Sequence, residues 1–114
     1  MARFGRIVTA MVTPFTDDGS LDVDGAATLA RWLQEQGNEG LVVAGTTGES
    51  PTLTDAEKLT LWEAVADAVT IPVVAGSGTN DTAHSVHLTA EASKLGIAGI
   101  LALCPYYNLS LIHI

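Results

Sequence analysis

Four short apolar runs recur along the chain: IVTAMV (7–12), LVVA (41–44), PVVAG (72–76) and AGILAL (98–103). None alternates apolar with polar residues. A strand with one wet face alternates, so these runs predict strands buried on both faces, as in a parallel sheet covered by helices. A helical pattern separates each run from the next. Ala26, Leu29, Ala30 and Leu33 form an inward stripe that ends near Gly37, a glycine placed to leave a helix. The second helix opens on Thr54-Asp55-Ala56-Glu57, where Thr54 and Glu57 can satisfy each other's free backbone donors. Its stripe is Trp62, Val65, Ala66 and Val69, and Pro72 follows. The third runs from about Thr82 to Leu95, with Leu88, Ala92 and Leu95 inward and Gly96 closing it.

The order is therefore βαβαβαβ, with strands starting near 7, 41, 72 and 98. Units of about 30 residues are the size of right-handed βα repeats. The expected fold is α/β, the N-terminal half of a (β/α)8 TIM barrel, which needs about 250 residues when complete. A doubly wound sheet is the competing arrangement, and periodicity does not separate the two. Four strands cannot close a barrel, so the first and last would keep open edges. Residues 1–108 read as the N-terminal half of a barrel domain. Residues 109–114, LSLIHI, carry no turn or cap signal and read as an atypical tail. The chain reads as an N-terminal piece of a larger enzyme.

A net charge of −8 argues against nucleic acid and anionic membranes, which select basic surfaces. No apolar run approaches the roughly 18–20 residues that span a bilayer. The opening MARFGRIVTAMVTPF has too short an apolar stretch for a signal peptide. One cysteine, Cys104, cannot form an internal disulfide, and the cytoplasm is the expected compartment.

The polar clusters all follow the apolar runs: Thr13-Pro14-Phe15, then Gly45 to Ser50 (GTTGES), then Gly76 to Asn80 (GSGTN), then Cys104 to Asn108 (CPYYN). In parallel α/β folds the carboxyl ends of the strands are where ligands bind. GTTGES lacks a phosphate-loop lysine, and GSGTND has no third glycine of a dinucleotide fingerprint. A smaller anion suits the GTTGES loop better. Glycines let successive N–H groups converge, and Thr46 and Thr47 add hydroxyls. The competing reading makes both threonines turn caps, and the spacing leaves the two open. Glu49 reads as a loop residue without acid–base work. His84 and His87 read as a solvated helix face, since no third metal ligand stands near them. Cys104 reads as a packing residue. Tyr106 and Tyr107 point opposite ways if extended, so at most one faces the site.

The set TAMVTPF, GTTGES, AGSGTNDT and PYYN, in this order and spacing, resembles the dihydrodipicolinate synthase family over residues 4–108. That resemblance implies a pyruvate-dependent class I aldolase-type lyase of the diaminopimelate and lysine route. Such an enzyme condenses pyruvate with aspartate semialdehyde through a lysine Schiff base and uses no metal or organic cofactor. By resemblance, Thr47 with the backbone of Gly45 and Gly48 holds the pyruvate carboxylate. Thr46 belongs to a proton relay, and Tyr107 reaches into a neighbouring subunit's site, in a homo-oligomer built as a dimer of dimers. Asn80 and Tyr106 fit the lysine pocket of the family's inhibited members, while Lys58 and His84 depart from it. The Schiff-base lysine is expected on a later strand. The chain's two lysines, Lys58 and Lys94, fall on helices and are expected to lie away from the site. A sister aldolase with the same pyruvate half-site, and a half-barrel that only binds partners, are the rival readings.

Overall fold

A computed structural model describes residues 4–104 of the chain. Tyr106, Tyr107 and the tail 109–114 lie outside the described residues. The elements are β1 (Val8–Ala10), α1 (Val23–Glu35), β2 (Gly40–Val43), α2 (Asp55–Ala68), β3 (Val73–Gly76), α3 (Thr82–Ala92) and β4 (Gly99–Leu101), with a 3-10 turn at Ser50–Thr52 before α2. The four strands form one parallel sheet in the order β1-β2-β3-β4. Register pairs Val8 with Gly40, Leu41 with Val73 and Val74 with Gly99. A doubly wound sheet reverses strand order at a switch point. This sheet never reverses, so it follows the arc of a barrel.

The capping box forms as the sequence predicts: Glu57 N–H donates to the Thr54 hydroxyl at 3.2 Å, and Thr54 N–H to the Glu57 carboxylate at 2.9 Å. α1 starts on Asp22, whose carboxylate accepts from Gly25 N–H, and leaves through Gly37 at φ 98°. α3 ends earlier than its apolar stripe predicts. Lys94 and Leu95 N–H turn back three residues to Glu91 and Ala92 carbonyls, which tightens the last turn beyond an α-helix.

Helices α1 and α2 pack against one another and against the strands. Leu61, Trp62 and Val65 of α2 are fully buried against Leu41 and Val43 of β2 and Ala75 of β3. Trp62 donates from Nε1 to the Val43 carbonyl at 3.1 Å, which satisfies the polar edge of a buried indole. Ala66, expected in the same stripe, is only half-buried, and Leu61 and Lys58 take the inward positions instead. Below the sheet, Gln34 and Thr70 exchange two hydrogen bonds, at 2.9 and 3.0 Å, and tie the end of α1 to the end of α2. Among the described residues no helix is long and apolar enough to cross a membrane.

Candidate functional site

The chain leaves β2 through Ala44 at φ 58° and turns again at Glu49, φ 59°. Both are left-handed positions filled by residues with a side chain, each costing on the order of 1 kcal/mol. Strain of this kind persists where surrounding contacts fix it, and such places cluster at functional sites. Here the contacts are visible. Thr13, buried at the end of β1, donates to the Gly48 carbonyl at 2.6 Å. Glu49 N–H returns to the Thr46 carbonyl at 3.0 Å, and Ser50 N–H to the Gly45 carbonyl at 3.2 Å. A Cβ on Gly48 would stand 3.1 Å from both the Met11 carbonyl oxygen and Ala44, so the turn presses directly on the first strand.

These bonds use the loop's carbonyls and leave donors over. Among the described residues, no hydrogen bond engages the N–H groups of Thr46, Thr47 or Gly48. Three successive free donors on a strained turn are what a small carboxylate can meet. Glu49 contributes to the turn through its own backbone, and its side chain makes no cap bond.

The neighbouring loop follows β3. Gly76 approaches so closely that a Cβ there would lie 2.3 Å from the Ala44 carbonyl oxygen. Beyond it, hydroxyls fix the backbone: Ser77 and Thr89 share a bond of 2.7 Å, and Thr79 N–H donates to the Ser85 hydroxyl at 2.8 Å. Asp81 caps α3 by accepting from Ala83 and His84 N–H at 3.0 and 3.3 Å. Between the two loops, the N-terminal turns of α2 and α3 and the end of β4 enclose a cavity of about 400 Å3.

Gly45 and Thr46 line this cavity, and Gly48 is buried beneath the turn. Thr47 sits exposed on the turn and does not line it. Tyr107 and Tyr106 lie outside the described residues, so the relay from Thr46 to Tyr107 is not on view. Asn80, Lys58 and His84 share the same cavity.

Three expectations need correction. Lys58 does not lie away from the site: it is 4% exposed and lines the cavity. Loss of water around its ammonium lowers its pKa from the ordinary lysine value, partly offset by the nearby Asp55 carboxylate. His84 is half-buried and donates from Nε2 to the Asp55 carboxylate, 2.8 Å from each oxygen, so it joins α3 to α2 and is no free helix face. His87 is exposed as expected. Cys104 is an exposed free thiol and is not packed among the described residues, where β4 just before it has a strand on one side only. Among the described residues no group of three or more His, Cys, Asp or Glu is placed to hold a metal ion.

Thr13, Ser50, Lys58, Ser77 and Thr79 are polar and buried; sequence reasoning placed all but Lys58 in the strand-end clusters, gave none of the five a role of its own, and missed Lys58 altogether. One signal was available for Lys58. It stands three residues after Asp55 in the first turn that follows the loop, where i and i+3 share a face.

Comparison with known proteins agrees with this arrangement. A family model described as the dihydrodipicolinate synthetase family matches residues 3–111. The 4-hydroxy-tetrahydrodipicolinate synthase of Acidothermus cellulolyticus is 60% identical over 109 residues, covering 94% of this chain and 35% of that protein. Among solved structures, the dihydrodipicolinate synthase DapA-2 of Bacillus anthracis superposes with a TM-score of 0.91 at 44% identity, over 96% of this chain and 38% of that one. The chloride-inhibited dihydrodipicolinate synthase from Acinetobacter baumannii, solved in complex with pyruvate, gives 0.89 at 35% identity, over 94% and 38%. The chain thus spans little more than a third of the length of the relatives it matches, and its sheet is about half of their barrel.

Proposed function

The chain belongs to the dihydrodipicolinate synthetase family, and from that premise we propose that, at its relatives' length, the protein is a 4-hydroxy-tetrahydrodipicolinate synthase. It condenses pyruvate with aspartate semialdehyde in the cytoplasm, on the route to diaminopimelate and lysine. The observation that carries this reading is the GTTGES turn, with three successive free N–H groups at the carboxyl end of β2. The identity of 60% to a synthase and the likeness to a synthase holding pyruvate support the same reading.

In the proposed mechanism the turn receives the carboxylate of pyruvate, with Gly45 and Gly48 keeping the backbone close and the Thr47 hydroxyl adding a donor. A lysine amine attacks the ketone carbon to give a carbinolamine. Loss of water then leaves the imine, and both steps need a proton moved at the oxygen. Thr46 lines the cavity, and its hydroxyl begins that relay in this reading, which Tyr107 continues from a neighbouring subunit of a dimer of dimers. No metal or organic cofactor takes part.

Borohydride added with pyruvate tests the reading in the protein at its relatives' length. The expected result is one reduced pyruvate adduct on a single lysine, with loss of activity. Thr47→Val is expected to raise KM for pyruvate, and Thr46→Val to lower kcat about 100-fold, within the range of lost proton-transfer catalysis. Full protection from borohydride in the presence of pyruvate, with no adduct by mass, would overturn it.

A further inference from the structure

Thr13 is buried, 5% exposed, and its hydroxyl donates to the Gly48 carbonyl at 2.6 Å. That carbonyl belongs to the peptide joining Gly48 to Glu49, whose N–H donates to the Thr46 carbonyl at 3.0 Å. One peptide is thus held at both ends, by the segment that follows β1 and by its own turn. Thr13 is itself held in place. Met11 N–H donates to the Val42 carbonyl at 2.9 Å, and the Pro14 carbonyl accepts from Asp22 N–H at 3.0 Å. Pro14 also keeps the Thr13 backbone extended, and a β-branched side chain has few rotamers to choose from.

The held orientation is not the one this backbone prefers. It leaves Glu49 at φ 59°, in the left-handed region that is costly for a residue with a side chain. Turning the Gly48–Glu49 peptide over moves that φ to the extended region, and a glycine at 48 lets its own ψ follow. The same rotation sets the Gly48 carbonyl opposite the Thr46 carbonyl, where Glu49 N–H now stands. Two carbonyl oxygens repel, so the turn opens and the free N–H groups of Thr46, Thr47 and Gly48 no longer stand together. The Thr13 hydroxyl opposes this flip, because Gly48 is buried and a buried carbonyl loses most when it gives up its donor.

We propose that Thr13 is a positioning residue for pyruvate: its hydroxyl locks the Gly48–Glu49 peptide and so keeps three N–H donors together for the carboxylate. Thr13 acts through that peptide and not by touching substrate. The proposal rests on the synthase reading and adds a residue beyond β1 to a half-site otherwise assigned to the loop after β2. The left-handed Glu49 is part of the device, since it makes the locked turn the strained member of two.

The test treats the protein at its relatives' length with borohydride over a range of pyruvate concentrations and measures the trapped adduct by mass. Thr13→Val keeps the shape and removes the donor. It is expected to raise the half-saturating pyruvate concentration about tenfold, as one lost buried hydrogen bond allows, with kcat at saturating pyruvate kept within about threefold. Thr13→Ser, which keeps the donor, should return half-saturation to within about threefold of wild type. Glu49→Gly added to Thr13→Val should recover about fivefold, because the locked turn no longer carries left-handed strain. A merely structural Thr13 would lower the unfolding temperature without that recovery. Amide exchange on the unmodified protein needs no variant: before pyruvate is added, Glu49 N–H should exchange more slowly than the N–H groups of Thr46 and Thr47. Equal rates, or an unmoved half-saturation in Thr13→Val, would sink the proposal and leave the synthase reading standing. Absence of any adduct on the unmodified protein would sink both.

Discussion

The two central strands and the two outer ones begin as the same kind of sequence and end in different surroundings. In β2 and β3 every residue but Val42 is buried, whereas β1 and β4 hold no fully buried residue. Ile7, beside β1, is 57% exposed, and Leu101, in β4, is 39% exposed. Apolarity is therefore not what buries a strand here. A neighbour on each side does, along with the helices that lie over the centre. The outer strands carry residues suited to a core that the described residues only half supply, and the site sits at the boundary, over β2 and β3 with one wall from β4.

Breaking the centre is expected to have the largest effect. Trp62→Ala empties a fully buried indole and removes its bond to the Val43 carbonyl, at a cost of about 3–5 kcal/mol in urea unfolding. Gly76→Ala drives a methyl group against the Ala44 carbonyl and is expected to cost about 1–3 kcal/mol. Lys58→Met tests the opposite sign inside the same region, with an expected gain of about 1 kcal/mol at neutral pH. Its pH dependence sharpens the point. The folded pKa of Lys58 is lowered, so the unfolded chain binds more protons between the lowered value and the ordinary lysine value. Wild-type stability should rise as pH climbs through that window. Below it the burial cost is fully present, and Lys58→Met should flatten the rise. The smallest effect belongs to the edge: Ile7→Ser in the 114-residue chain should change stability by under about 0.5 kcal/mol. A loss there as large as at Trp62 would show that the edges are covered and the contrast is false.

How much of this could be read beforehand follows the range of the interactions. Strands, helices and the Thr54–Glu57 box were legible because each is set within a few residues. The GTTGES turn was legible as a candidate anion site because it closes on itself. Its brace was not: Thr13 meets Gly48 across 35 residues, and His84 meets Asp55 across 29. Lys58 was read against its own type, since lysine is almost never fully buried. Only the packed arrangement of α2 over the sheet shows that Lys58 is buried and lines a cavity. The end of α3 was overshot for a related reason. Leu95 continues the apolar stripe, but the backbone has already tightened at Glu91 and Ala92.

Strand order in space repeats strand order in the chain, β1 to β4. Each βα unit is therefore laid against the one translated just before it, and none waits for a distant partner. A ribosome releasing this segment exposes two borders, a fixed one on β1 and a growing one on the most recently made strand. The segment can grow as a row of units, each using the last as its template, with the wall of the cavity at Leu101 and Leu103 added last, after the loops that follow β2 and β3.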